Sequence, residues 1–126
     1  MQSGLLTGAM TRERVAKLPD SDWRSRDEEF TEPKLSKNLE LVERLRKVAQ
    51  KYGRPPGQVA VAWVLHNPAV TAAIVGARNA RQVEQNVGAT ELDLTDDDIA
   101  EIEGRKVREP KPVTRQHETN HGQLSQ

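Results

Sequence analysis

One short run constrains this chain more than any other. Val70-Thr71-Ala72-Ala73-Ile74-Val75 carries no charge and shows no polar–apolar alternation. A strand with one wet face alternates; a strand covered on both faces, as in a parallel sheet, does not. Gly76 closes the run, and the other periodic segments read as helices. A single buried strand cannot make a sheet, because its backbone groups need neighbours on both sides. Its partners are expected to come from another chain or from residues this sequence does not contain. The expected object is therefore a fragment of an α/β domain.

The helical pattern supports that reading. Leu39, Val42, Leu45, Val48, Ala49 and Tyr52 recur at spacings of three and four, which predicts a helix over 38–52. Ser36 or Asn38 would cap its start and Gly53 would suit its end. Pro55-Pro56-Gly57 opens a second helix, 57–66, that is apolar nearly all round and so is expected to be buried. A third helix is expected at 79–88 with Val83 and Val87 inward. A fourth starts at Thr95, where Thr95 and Asp98 form a capping-box pair and Leu94 can staple onto Ile99. Earlier, Thr11 would cap a short helix that Pro19 ends, and 19–34 reads as a surface excursion with Trp23 and Phe30 as anchors. From Arg105 onward the chain is polar, charged and proline-containing, which reads as a disordered tail, 105–126.

Composition narrows the function classes. Only 35% of the 126 residues are hydrophobic, low for a self-contained domain of this length. The 19 basic and 19 acidic residues cancel, so no bulk field draws in nucleic acid. Without cysteine there is no disulfide framework and no thiolate chemistry. No run approaches the roughly 20 apolar residues of a membrane span, and no secretory leader is visible, so the expected location is the cytoplasm with no membrane partner.

The chemistry concentrates in Gly76-Ala77-Arg78-Asn79-Ala80-Arg81-Gln82-Val83-Glu84-Gln85-Asn86, where the run of 70–75 turns into a helix. Free amides and the dipole at a helix start favour an anion. Gly76 and Ala77 let the anion approach the backbone, and Arg78 offers a planar fork that matches a phosphate. Gln82, Gln85 and Asn86 follow within two turns, where amides can reach a purine edge. A second glycine-bearing loop, Ser3-Gly4-Leu5-Leu6-Thr7-Gly8, precedes the helices. In parallel α/β barrels a phosphate site is often built from the loops after the last two strands.

With these residues in place, the stretch 1–104 resembles the C-terminal part of an aldo-keto reductase. The resemblance rests on Ser3-Gly4-Leu5-Leu6-Thr7-Gly8, on Gly57-Gln58-Val59-Ala60-Val61-Ala62-Trp63, and on Ile74-Val75-Gly76-Ala77-Arg78 followed by Gln82, Gln85 and Asn86. It implies a C-terminal fragment of a (β/α)8 TIM barrel, mostly helical with one buried strand at about 70–75. It implies NADP as cofactor and a small carbonyl compound as the parent enzyme's substrate. Ser3, Gly4, Leu5 and Thr7 would wrap the pyrophosphate. Gly76, Ala77 and Arg78 would hold the adenosine 2′-phosphate, and Gln82, Gln85 and Asn86 would contact that phosphate or the adenine. The family's aspartate, tyrosine, lysine and histidine lie on earlier strands, so no catalytic residue is carried over; Tyr52, on the helix at 38–52, is not that tyrosine. The tyrosine protonates the carbonyl oxygen as hydride arrives from the nicotinamide. Without these groups the chain alone is expected to be inactive.

Three competing readings are weaker. His117-Glu118-Thr119-Asn120-His121 matches the zinc-protease string but lacks a helix-forming apolar stripe and a third ligand, so no metal site is expected. The helix–turn–helix look of 38–66 lacks a polar, basic second helix, so no DNA reading is expected. The main alternative is a non-catalytic partner that docks onto a complementary barrel fragment through Val59, Val61, Trp63 and Leu65, because an apolar face of that size is rarely left exposed.

Overall fold

The computed structural model describes residues 1–105. They form five α-helices, α1 (Arg12–Ala16), α2 (Lys34–Tyr52), α3 (Pro56–His66), α4 (Ala80–Val87) and α5 (Asp96–Ile102), joined by 3-10 turns at Gln2–Thr7, Trp23–Arg26, Glu28–Phe30 and Gly88–Glu91. None of these helices is long and apolar enough to cross a membrane.

The spine is α2, and it starts four residues earlier than the periodicity suggests. Neither Ser36 nor Asn38 caps it, and Pro33 occupies the N-cap position with no side-chain cap bond. Instead Ser36 Oγ donates to Glu32 Oε2 at 2.7 Å, and Asn38 Nδ2 donates to the Glu29 carbonyl at 3.0 Å. The added turn brings Leu35 into a small cluster with Leu5, Met10 and Phe30. That cluster anchors the polar excursion through Phe30, while Trp23 stays more than half exposed and meets Phe30 edge-on. Gly53 ends α2 at φ 61°, a left-handed angle that costs a side-chain-bearing residue about 1–2 kcal/mol.

The main core joins α2, α3 and α5. Leu45, Val48 and Ala49 of α2 meet Val59, Ala60 and Ala62 of α3, with Leu94, Ile99 and Ile102 closing the third side. Val59 and Val61 are therefore covered by the chain's own helices, and Trp63 and Leu65 are half-buried. The docking face expected on α3 is thus only partly taken up: Val59 lies in the core with α2 and α5, while Trp63 and Leu65 keep some exposure. The first two turns of α3 are also closed to a DNA groove. The α5 start follows the sequence expectation: Thr95 accepts from the Asp98 amide at 3.2 Å, Asp98 Oδ2 accepts from the Thr95 amide at 3.0 Å, and Leu94 and Ile99 share one cluster. At the far end, Arg44 Nε donates to the Ile102 carbonyl at 2.9 Å, tying the last turn of α5 to α2.

Two expectations fail together. The strand at 70–75 is not formed: there is no strand among the described residues, and Thr71 through Val75 make no hydrogen bond to any of them. Nor is the run buried, since Ile74 is fully exposed. Helix α4 forms where expected, but Val83 and Val87 are 51% and 59% exposed rather than inward. The physical reason is shared. An extended segment becomes a strand only when a neighbour pairs with it, and the apolar side of α4 needs a sheet to lie on. Neither is supplied by these residues. Arg105, the last described residue, donates its amide to Ala100 O at 2.9 Å, and its guanidinium pairs with Glu103. Residues 106–126, with the His117–His121 string, lie outside the described residues.

Candidate functional site

The loop from Gly76 to Asn79 is shaped by α4 itself. Asn79 sits in an extended conformation and its side-chain oxygen accepts from the Gln82 amide at 3.0 Å, which caps the helix start. Gln82 reaches back and its Oε1 accepts from the Arg78 amide at 2.7 Å. Asn86, one turn further on, donates from Nδ2 to the Gly76 carbonyl at 3.3 Å. Thus Gly76, Arg78, Gln82 and Asn86 are brought together in one hydrogen-bonded unit. Gln85 and Ala77 lie on the same segment, both exposed, and the Gln85 side chain makes no hydrogen bond among the described residues. Arg78 and Arg81 enter no ion pair among the described residues. Two uncompensated guanidinium groups beside a capped helix start make a local surface suited to an anion.

The second loop is held by different means. Ser3 and Gly4 both take left-handed angles, φ 52° and 94°, and Gly8 ends the turn at φ 77°. Thr7 Oγ1 donates to the Gly4 carbonyl at 2.6 Å and accepts from the Ala9 amide at 3.3 Å. Leu5 is fully buried in the small cluster, backbone included, and its carbonyl accepts from the Gly8 amide at 3.4 Å, so it anchors the loop and does not present the ligand contact expected of it. Arg46 of α2 fixes the end of the loop, donating from Nη2 to the Gly8 carbonyl at 3.1 Å. No sequence signal singled out Arg46, because its partner lies 38 positions away and is a backbone oxygen. No hydrogen bond joins this loop to the 76–86 segment among the described residues.

Gly8 offers a direct check on the loop. A Cβ there would lie 3.3 Å from Pro56 Cγ and 3.4 Å from Arg46 Nη2, on a backbone angle that L residues resist. Gly8→Ala is expected to cost about 1–2 kcal/mol. Urea unfolding followed by circular dichroism reads it; an unchanged midpoint would mean that the loop is not held in this conformation.

The two groups with a large displacement of acidity among the described residues, Asp22 and Asp98, both lie outside the two loops, and Asp98 is structural. Burial opposes ionisation of Asp98, but hydrogen bonds from Tyr52 Oη, Lys51 Nζ and Thr95 outweigh it and hold the carboxyl at about 2. It is the N3 residue of the α5 capping box and takes no part in either loop.

The sequence comparisons agree with one another. The model of the aldo/keto reductase family matches residues 1–106. The chain is similar to aldo-keto reductase str7 of Strobilurus tenacellus, at 32% identity over 87% of this chain and 32% of that protein. It is similar to aldo-keto reductase yakc [NADP(+)] of Schizosaccharomyces pombe, at 32% identity over 79% of this chain and 28% of that protein. With aldo-keto reductase YhdN of Bacillus subtilis the identity is 35% over 79% of this chain and 30% of that protein. The chain thus spans about a third of the length of these curated relatives. A match over most of the described residues, by model and by relatives alike, leaves one conclusion: the chain belongs to the aldo/keto reductase family.

Proposed function

We propose that this chain supplies the adenosine 2′-phosphate end of an NADP(H) site, and that in a complete enzyme of the family this end serves the reduction of a small carbonyl compound to an alcohol. One observation carries the reading. The loop 76–79 and α4 form a hydrogen-bonded unit that carries Arg78 and Arg81 without ion partners, in the order that an anion site at a helix start requires. Support for the cofactor's identity comes from the relative named for NADP(+). In this reading Gly76, Ala77 and Arg78 take the 2′-phosphate, and Gln82, Gln85 and Asn86 take the phosphate or the adenine. Ser3, Gly4 and Thr7 follow the pyrophosphate, with the buried Leu5 anchoring the loop beneath them.

The chain does not reduce carbonyls on its own in this reading, because the proton donor and the walls that position the nicotinamide are not among its residues. Titration with adenosine 2′,5′-bisphosphate, followed by amide resonances, tests the binding half. Shifts confined to 76–86, at millimolar affinity, are expected, with loss on Arg78→Met. The absence of such shifts would remove the site. Steady oxidation of NADPH by the chain alone would remove the claim of inactivity.

A further inference from the structure

The first turn of α3 is stiff and buried. It opens on Pro55 and Pro56, with Pro56 at a position where a helix needs no amide donor, and the Gln58 amide closes the turn on the Pro55 carbonyl at 3.0 Å. Gly57 and Gln58 are both buried. A turn started by prolines and enclosed by its neighbours has little freedom to move, so it places whatever rests on it.

Both candidate loops are seated on this turn, at consecutive residues. Pro56 faces the end of the first loop: a Cβ at Gly8 would lie 3.3 Å from Pro56 Cγ. A Cβ at Gly57 would lie 3.7 Å from the Thr7 Cα, so here the two backbones meet with no side chain between them. Gln58 faces the other loop's helix. A Cβ at Gly88, the residue that ends α4, would come 2.7 Å from Gln58 Nε2 and 3.2 Å from Gln58 Cδ, so only glycine leaves room for the Gln58 amide. That amide is not free to swing away. Gln58 is 7% exposed, and Arg54 lies against it, with Nη1 3.5 Å from Gln58 Oε1 and Nη2 2.8 Å from Glu91 Oε2 in the turn after α4. Gly88 in its turn fixes the 76–86 unit: its amide donates to the Glu84 carbonyl, and Asn86, two residues earlier, holds the Gly76 carbonyl.

Resting on the cofactor reading above, we infer that Gln58 is a positioning residue. Wedged against Gly88 and backed by Arg54, it sets the distance of the 76–86 unit from the 3–8 loop, and so the fit of a ligand that carries both a pyrophosphate and a 2′-phosphate. Titration of the full chain with NADP+, followed by the amide resonances of both loops, tests this in wild type, Gly88→Ala, Gln58→Ala and the double variant. None of these substitutions alters charge, so a change in affinity reports geometry. Gly88→Ala drives a methyl into the Gln58 amide and should weaken NADP+ binding about tenfold, with shifts at Gly76, Arg78 and Asn86 already present in the free protein. In the double variant the added methyl finds room, and affinity should recover to within about threefold of wild type. A merely destabilising effect would not be relieved by a second truncation. Equal affinity and unmoved resonances in Gly88→Ala would overturn the role, as would a loss that the double variant keeps. A wild type that leaves NADP+ unbound would remove the cofactor reading instead. Relief of the free-protein shifts in the double variant would then still support the wedge, and their persistence would overturn it.

Discussion

Leu45→Ala is expected to lower the free energy of unfolding by about 3–4 kcal/mol. Leu45 is fully buried where α2, α3 and α5 meet. Its removal takes away the transfer free energy of three carbons and leaves a cavity that rigid helices fill only in part; together these put a leucine truncation in the range of about 2–5 kcal/mol. Its neighbours Val59 on α3 and Ile99 and Ile102 on α5 belong to two different helices, so a collapse that closed the cavity would have to move more than one helix. Against a total stability of about 5–15 kcal/mol for a native domain, this is a large fraction. Urea unfolding monitored by circular dichroism measures it. A loss under about 1 kcal/mol would show that the three helices are loosely packed in solution, as in a molten state.

Removal of the Asp98 carboxylate should be nearly as costly, at about 2–3 kcal/mol for Asp98→Ala. One carboxylate, 5% exposed, closes the capping box, pairs with Lys51 at 2.9 Å and accepts the Tyr52 hydroxyl. A lost cap costs about 1 kcal/mol, and a lost charge-assisted hydrogen bond about as much again. The same carboxylate makes stability depend on acid. Its folded-state value, about 2, lies below the ordinary 3.8, so its contribution is complete above pH 4 and is lost as pH falls from about 4 to about 2. The amount is about 2 kcal/mol. Asp22, held at about 2 chiefly by its hydrogen bond from the Arg24 side chain, titrates in the same direction, so the variant should flatten only part of the acid limb. Equal acid sensitivity in wild type and Asp98→Ala would show that the Tyr52–Lys51–Asp98 cluster does not form.

The candidate site was legible at the level of residues and less so at the level of contacts. The glycine, the arginine and the amide-bearing residues of 76–86 are a local pattern, and the loop and α4 form from that stretch alone. That Gln82 and Asn86 turn back onto the Arg78 amide and the Gly76 carbonyl depends on rotamers, which no spacing rule encodes. Arg46 holding Gly8 was invisible for a different reason: a side-chain bond to a distant carbonyl leaves no periodic trace.

The sequence by itself determined what short-range forces decide. Periodic leucines and valines set the existence of α2, α3 and α5, and Thr95 with Asp98 set the start of α5, because caps and apolar stripes act within one or two turns. Only the tertiary structure decided which apolar residues are buried. Val59 and Val61 look no more apolar than Ile74 and Val83, yet the first pair is buried within the folded chain while the second faces solvent. Periodicity reports that a face seeks cover and is silent on whether cover exists. The run at 70–75 has the composition of a buried strand; without a neighbour to exchange hydrogen bonds it remains an extended, unpaired edge.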